Sequence, residues 1–188
     1  MKKLIILASG SGTNAENIIK YFENSDKVQV AFVLTNKSSA GVLKRCDKLN
    51  VPAFYFNREA FTSSTLLNFI KAESPDLIVL AGFLWKIPEA WVHEFPDQIV
   101  NIHPALLPKY GGKGMYGRHV HNAVKESGDI KSGITIHYVN EDYDEGSIIF
   151  QAETDISPKD SIEIIASKVH ELEYRHYPQA IENLLING

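Results

Sequence analysis

Two periodicities alternate along this chain. Short runs of nearly continuous Ile, Val and Leu, such as KLIILAS (3–9), VQVAFVLTN (28–36) and DLIVLAGF (76–83), are each followed by a segment of helix length. A strand that is apolar on both faces must be covered on both, which places these runs inside a mostly parallel sheet with helices above and below. The pattern predicts strands over 3–9, 28–36, 52–57, 76–83 and 98–103, alternating with helices over 14–25, 41–50, 59–74 and 87–95. Beyond the glycine-rich stretch KYGGKGMYGRH, a further helix is expected through Val124. The runs GITIHYVN and SIIFQAETDI flank the turn EDYDEG, and so short a connection suits an antiparallel pair added to the parallel sheet. Ile162, Ile165, Ala166, Val169 and Leu172 repeat at helical spacing, so a long helix is predicted over 160–186. Asp160 and Glu163 would form its capping box, and Pro178 should kink or break it. The expected fold is α/β: a doubly wound, Rossmann-like, mostly parallel sheet with an antiparallel strand pair near the C-terminus and a long C-terminal helix.

Composition narrows the class. A chain of 188 residues with 22% charged and 44% hydrophobic positions suits one globular domain, here 1–188. The net charge of -4 argues against a protein that lives on nucleic acid, though not against a small anionic ligand. Cys46 is the only cysteine, which removes a disulfide framework and a thiolate zinc site and fits a reducing cytosol. The opening MKKLIILASG imitates a secretion signal, but its apolar core, Leu4 to Ala8, is too short, and no run reaches membrane-spanning length. A soluble cytoplasmic protein, away from membranes, is expected.

Candidate chemistry lies at the strand ends. The first strand ends in SGSGTNA, where glycine permits a tight turn and free amides of the following helix can face an anion. Gly10, Gly12 and Ala15 satisfy the dinucleotide pattern G-x-G-x-x-A, yet the second strand ends in LTNKSS without the acidic residue that pattern requires. A phosphate loop survives this test better than NAD binding, with a plain strand-to-helix turn as the competing reading. In IVNIHPALLPKY, Asn101 and His103 sit at i and i+2 of a strand and so look out on the same side. NEDYDEG clusters Asp142, Asp144 and Glu145 in one turn, without the regular alternation of a hard-metal loop. His119 and His121 fall on different faces of a helix, without an evident third metal ligand, and are expected at the surface. His137, inside a strand, is expected to be a buried, hydrogen-bonded histidine rather than a supporting residue of the site. An amide, an imidazole and a carboxylate at strand tips can stabilise an oxyanion and move a proton. No serine or cysteine nucleophile motif accompanies them, which favours direct transfer between substrates.

NIHPALLPKYGGKG, followed by GITIHYVNEDYDEGSIIFQ, resembles the signature of the folate-dependent formyltransferases, and the likeness extends from ILASGSGTN and VLAGF to HELEYRHYP. The resemblance implies formyl transfer from 10-formyltetrahydrofolate to the amine of glycinamide ribonucleotide in purine synthesis, through a tetrahedral intermediate and without a metal. It implies Asn101, His103 and Asp144 as the catalytic set. It assigns Gly12, Thr13, Asn14 and Glu173 to the ribonucleotide, and Arg58, Leu84, Trp85, Lys86, Ile87 and Asn101 to the folate. The acidic turn at Asp142 and Asp144 would line the pterin pocket. Residues 1–100 would then be a nucleotide- and phosphate-binding half, and 101–188 a catalytic and folate-binding half. Departures from the family pattern are Trp85 and Lys86, where an arginine and an aliphatic residue are common, Tyr174, where a histidine is common, and a longer glycine-rich loop. The expected partners are the two small-molecule substrates, for a monomer or homodimer. Competing members are a methionyl-tRNA formyltransferase, expected to carry a further C-terminal domain, and a formyltetrahydrofolate hydrolase, expected to carry an N-terminal regulatory one. A dinucleotide-binding oxidoreductase-like module is the competitor from another class.

Overall fold

The computed structural model describes residues 1–187 and sets seven strands in one sheet. In chain order the elements are β1 (Lys2–Leu7), α1 (Thr13–Phe22), β2 (Val28–Thr35), α2 (Gly41–Lys48), β3 (Ala53–Tyr55), α3 (Arg58–Thr62), α4 (Ser64–Glu73) and β4 (Leu77–Leu80). Then follow α5 (Glu89–Glu94), β5 (Ile99–His103), α6 (Arg118–Ser127), β6 (Lys131–Tyr138), β7 (Ile148–Asp155) and α7 (Ile162–Ile186). The strand order is β3-β2-β1-β4-β5-β6-β7. Pairing is parallel from β3 to β5 and antiparallel for β5 with β6 and β6 with β7. This is the doubly wound sheet with an antiparallel C-terminal pair that the apolar runs predict.

Period-two alternation explains the two cores. Leu4 and Ile6 pack on one face with Ile18 of α1, Val42 of α2 and Val169 and Tyr177 of α7. Ile5 and Leu7 point the other way, to Phe61 of α3, Ile70 of α4 and Trp91 of α5. A smaller cluster seats α6 through Val120 and Val124 against Ala105, Ile156 and Ile165. No helix among the described residues is long and apolar enough to cross a membrane.

Three expectations are corrected. The helix expected over 59–74 is two, because Ser63 adopts extended backbone (φ -86°, ψ 176°) and its hydroxyl accepts from the Thr65 N–H. In F-T-S-S-T the hydroxyls offer the backbone an alternative to the helical ladder. The cap of α7 is Ser161, whose hydroxyl accepts from the Ile164 N–H. Asp160 instead closes the preceding turn on the Ser157 N–H and pairs with Lys168. Finally, Pro178 does not break α7, which runs for 25 residues with the proline inside it. Proline removes the N–H that the carbonyl four residues earlier would receive. Here that carbonyl, on Tyr174, accepts from Asn17 Nδ2 at 2.9 Å.

Asn17 is one of three such ties. Asn14 Nδ2 donates to Glu173 Oε2 at 2.8 Å, and the Tyr21 hydroxyl donates to Glu182 Oε2 at 2.6 Å. Positions 14, 17 and 21 share one face of α1, so α1 laces α7 to the sheet. Deeper in, the fully buried Tyr177 hydroxyl lies 3.0 Å from the Leu80 carbonyl and 3.3 Å from that of Val100, bridging β4 and β5.

Candidate active site

The chain leaves β1 toward β2 on one side and returns through β4 on the other. Loops after β1 and β4 therefore diverge, and a crevice opens beyond the strand ends. A cavity of about 560 Å³ lies there. Gly12, Thr13 and Asn14 line one side, Leu84 to Ile87 another, and Asn101, His103, Asp144 and Glu173 complete the wall. Arg58 does not reach it: its guanidinium carbon stacks 4.6 Å from the Trp85 ring centroid, and Trp85 lines the cavity in its place.

Local sequence explains each wall. Gly12 has φ +78° and caps α1, and a Cβ there would fall 2.5 Å from Val42 of α2, so only glycine lets this loop close. The Ser9 hydroxyl accepts from the Leu84 N–H at 3.0 Å, joining the end of β1 to the opposite wall. Trp85 packs among Phe56, Phe61 and Phe83, and Lys86 Nζ lies 5.7 Å from the Tyr143 ring.

At the centre, His103 is 3% exposed, its Nε2 is 2.7 Å from the Tyr110 carbonyl and its Nδ1 is 3.5 Å from Asp144 Oδ2. Either neutral tautomer leaves one ring nitrogen facing an acceptor, so the cationic ring fits these partners best. Burial opposes it. Burial is the larger influence and holds the His103 pKa below the usual value, while Asp144 and the Tyr110 carbonyl draw it back up. The pull of Asp144 favours the cationic ring, but desolvation outweighs it. Asp144, at φ +58°, has Oδ2 fixed by the Gly112 N–H at 2.9 Å. Burial alone would raise its pKa, but a hydrogen bond from the His137 ring when that ring is protonated, the charge of the His103 ring and the Gly112 N–H outweigh burial and lower it.

Two histidines change place relative to expectation. His137 is buried and hydrogen-bonded as expected, yet it also belongs to this cluster. It stands opposite Asn101 in the β5–β6 register. Its Nδ1 lies 2.8 Å from the Tyr138 carbonyl, so Nδ1 carries a ring proton, and in the neutral ring Nε2 is an acceptor. Nε2 then receives Asn101 Nδ2 at 3.1 Å and lies 3.6 Å from Asp144 Oδ1. That bond decides which end of the Asn101 amide is the donor. His119 is exposed, but His121 is not the surface residue expected: it is 7% exposed, lines the cavity, and its Nδ1 has no partner among the described residues. Burial pushes the His121 pKa down. Val120 and Val124 were the available signal, since they place this side of α6 against the core. Among the described residues no cluster of three or more His, Cys, Asp or Glu could hold a metal.

Comparison with known proteins bears on the same stretch of chain. The formyl transferase family model matches residues 2–181. The phosphoribosylglycinamide formyltransferase of Haemophilus influenzae is 37% identical over 188 residues, spanning 97% of this chain and 86% of that one. The enzyme of the same name from Bacillus subtilis is 33% identical, over 98% of this chain and 95% of that one. Among solved structures, the phosphoribosylglycinamide formyltransferase of Coxiella burnetii superposes with a TM-score of 0.89 at 34% identity, covering 99% of this chain and 88% of that one. With agreement of that length and closeness, the chain belongs to the formyl transferase family.

Proposed function

We propose that this enzyme transfers the formyl group of 10-formyltetrahydrofolate to the amine of glycinamide ribonucleotide in purine biosynthesis. The observation that carries the reading is the convergence of Asn101, His103 and Asp144 in one cavity, between a glycine loop and the Leu84–Ile87 segment. Ligand cavities commonly measure roughly 300–1,000 Å³, and unpartnered buried atoms at Asn14 Oδ1 and His121 Nδ1 await polar groups of a ligand. In this reading the glycine loop and Glu173 take the ribonucleotide. Leu84, Trp85, Lys86 and Ile87 take the folate, with Arg58 acting from behind Trp85.

The chemistry follows from charge. As the amine nitrogen bonds to the formyl carbon, negative charge grows on the formyl oxygen. Asn101 Nδ2, oriented by His137, offers a donor to that oxygen, which is worth more in the transition state than before it. Burial favours the neutral His103 ring, but a developing anion beside it raises its pKa, so the ring takes up the proton that the attacking amine sheds. It returns that proton to the departing folate nitrogen when the carbon–nitrogen bond breaks, leaving tetrahydrofolate and the N-formyl product. Asp144 steadies the imidazolium. The reading carries with it a cytoplasmic monomer or homodimer that needs neither metal nor nucleic acid.

The test is turnover of 10-formyltetrahydrofolate with glycinamide ribonucleotide present and absent, with both products quantified. N-formylated ribonucleotide and tetrahydrofolate should appear together, and only with the acceptor. Formate released at the same rate without acceptor would identify a hydrolase and overturn the reading.

A further inference from the structure

We propose that His170 is a positioning residue for the ribonucleotide: with Asn14 it grips one oxygen of Glu173 and thereby presents the other oxygen to the ligand. The ligand's identity rests on the formyl-transfer reading; the grip itself rests on geometry. Asn14 Nδ2 lies 2.8 Å and His170 Nδ1 2.7 Å from the same atom, Glu173 Oε2. Oε1 receives no bond among the described residues, yet it is not one of the fully enclosed unpartnered atoms, and Glu173, though only 5% exposed, lines the cavity. A carboxylate rotates easily about its last torsion. Two donors on one oxygen stop that rotation and leave a fixed acceptor for a hydroxyl or amine N–H of the ribonucleotide.

The donors come from different elements, which gives the grip its rigidity. Asn14 stands in the first turn of α1, beside the glycine loop, and His170 stands one turn before Glu173 on α7. The His170 ring is itself braced by stacking on Tyr174, with centroids 5.7 Å apart and planes 23° from parallel. From α6 the charge of the His121 ring is felt together with that of His170, and from α1 the uncharged Asn14 reaches the same Glu173 oxygen. Glu173 is therefore the anion that governs it. Hydrogen bonding to Glu173 raises the His170 pKa, with burial opposing. The bond to Oε2 is charge-assisted while the ring is protonated and weakens to a neutral one as pH rises.

The experiment measures KM for both substrates and kcat from about pH 6 to pH 9 for the wild type, His170→Ala and His170→Gln. His170→Ala should raise the ribonucleotide KM about tenfold, with the folate KM and kcat nearly unchanged. His170→Gln keeps a neutral donor, so it should restore most of the affinity at alkaline pH and abolish the part of the pH dependence that belongs to His170. Titrations of the ribonucleotide's own phosphate and amine are common to all three proteins and cancel. Equal rises in both Michaelis constants, an unmoved ribonucleotide KM, or a His170→Gln profile superimposable on the wild type would each overturn the proposal. Calorimetric titration with glycinamide ribonucleotide needs no turnover and separates the two readings. If the wild type binds it without formylating it, the formyl-transfer reading fails while the grip is still decided by the His170→Ala affinity. Binding equal in wild type and His170→Ala, or no binding at all, sinks the grip.

Discussion

At Asp144 three neighbours converge on one carboxylate: the His103 ring, the His137 ring and the Gly112 N–H. Asp144→Asn should lower kcat by about 100-fold with both Michaelis constants little changed. Asp144 draws the His103 pKa upward, so its removal should also move the acidic limb of the pH–rate profile to lower pH. Unchanged turnover and an unmoved limb at saturating substrates would remove Asp144 from the chemistry. For His137, replacement by Phe deletes the acceptor that orients the Asn101 amide. Turnover should then fall roughly tenfold, while Michaelis constants hold. Asn101 and His103 were legible because two positions on one strand share a face whatever the strand pairs with. His137 was legible only as a buried histidine, because its place beside Asn101 depends on the register of β6 against β5, which a strand's own sequence does not encode. His121 was misjudged since only the packing of α6 decides that its ring is covered.

Among the elements, α7 shows how a broken local rule is compensated from elsewhere. Pro178 leaves the Tyr174 carbonyl without a helical donor, and Asn17 supplies one. Asn17→Ala should cost about 0.5–1.5 kcal/mol. In a Pro178→Ala background the helix regains its own N–H for that carbonyl, so the same change should cost measurably less. Additive losses in urea denaturation would refute the coupling. The glycine loop between β1 and α1 makes a similar demand. Gly12→Val both strains a positive φ and collides with Val42. It should weaken ribonucleotide binding far more than folate binding, and equal loss of both with an intact circular dichroism spectrum would contradict the loop's assignment. Element identity was legible from period and composition over nearly the whole chain. The break at Ser63 and the continuity through Pro178 were not, because hydroxyl capping and a donor 161 residues distant — Asn17 to Pro178 by subtraction of their numbers — lie outside any local pattern.

For the molecule as a whole, buried histidines set the response to acid. His103 and His121 have folded-state pKa values below the usual 6.5, so in mild acid the unfolded chain binds protons that the folded chain resists. Stability should therefore decline as pH falls below 6.5 toward those lowered values. His170, with a raised value, acts in the opposite direction, but it is half-exposed and its effect is weaker. The urea midpoint should be lower at about pH 5.5 than at about pH 7.5, and His121→Leu should flatten the decline; an unaltered slope would exclude His121. The Tyr177 hydroxyl that spans β4 and β5 has a different use. Burial lifts its pKa well above that of an ordinary phenol, so it stays protonated for as long as α7 covers the sheet. A jump to strong alkali would therefore leave Tyr177, alone among the buried core side chains of the described residues in carrying a phenol, shielded behind α7. Tyr177 would wait for the helix to leave, and the slow part of the ultraviolet phenolate signal would be a clock for that departure, absent from Tyr177→Phe.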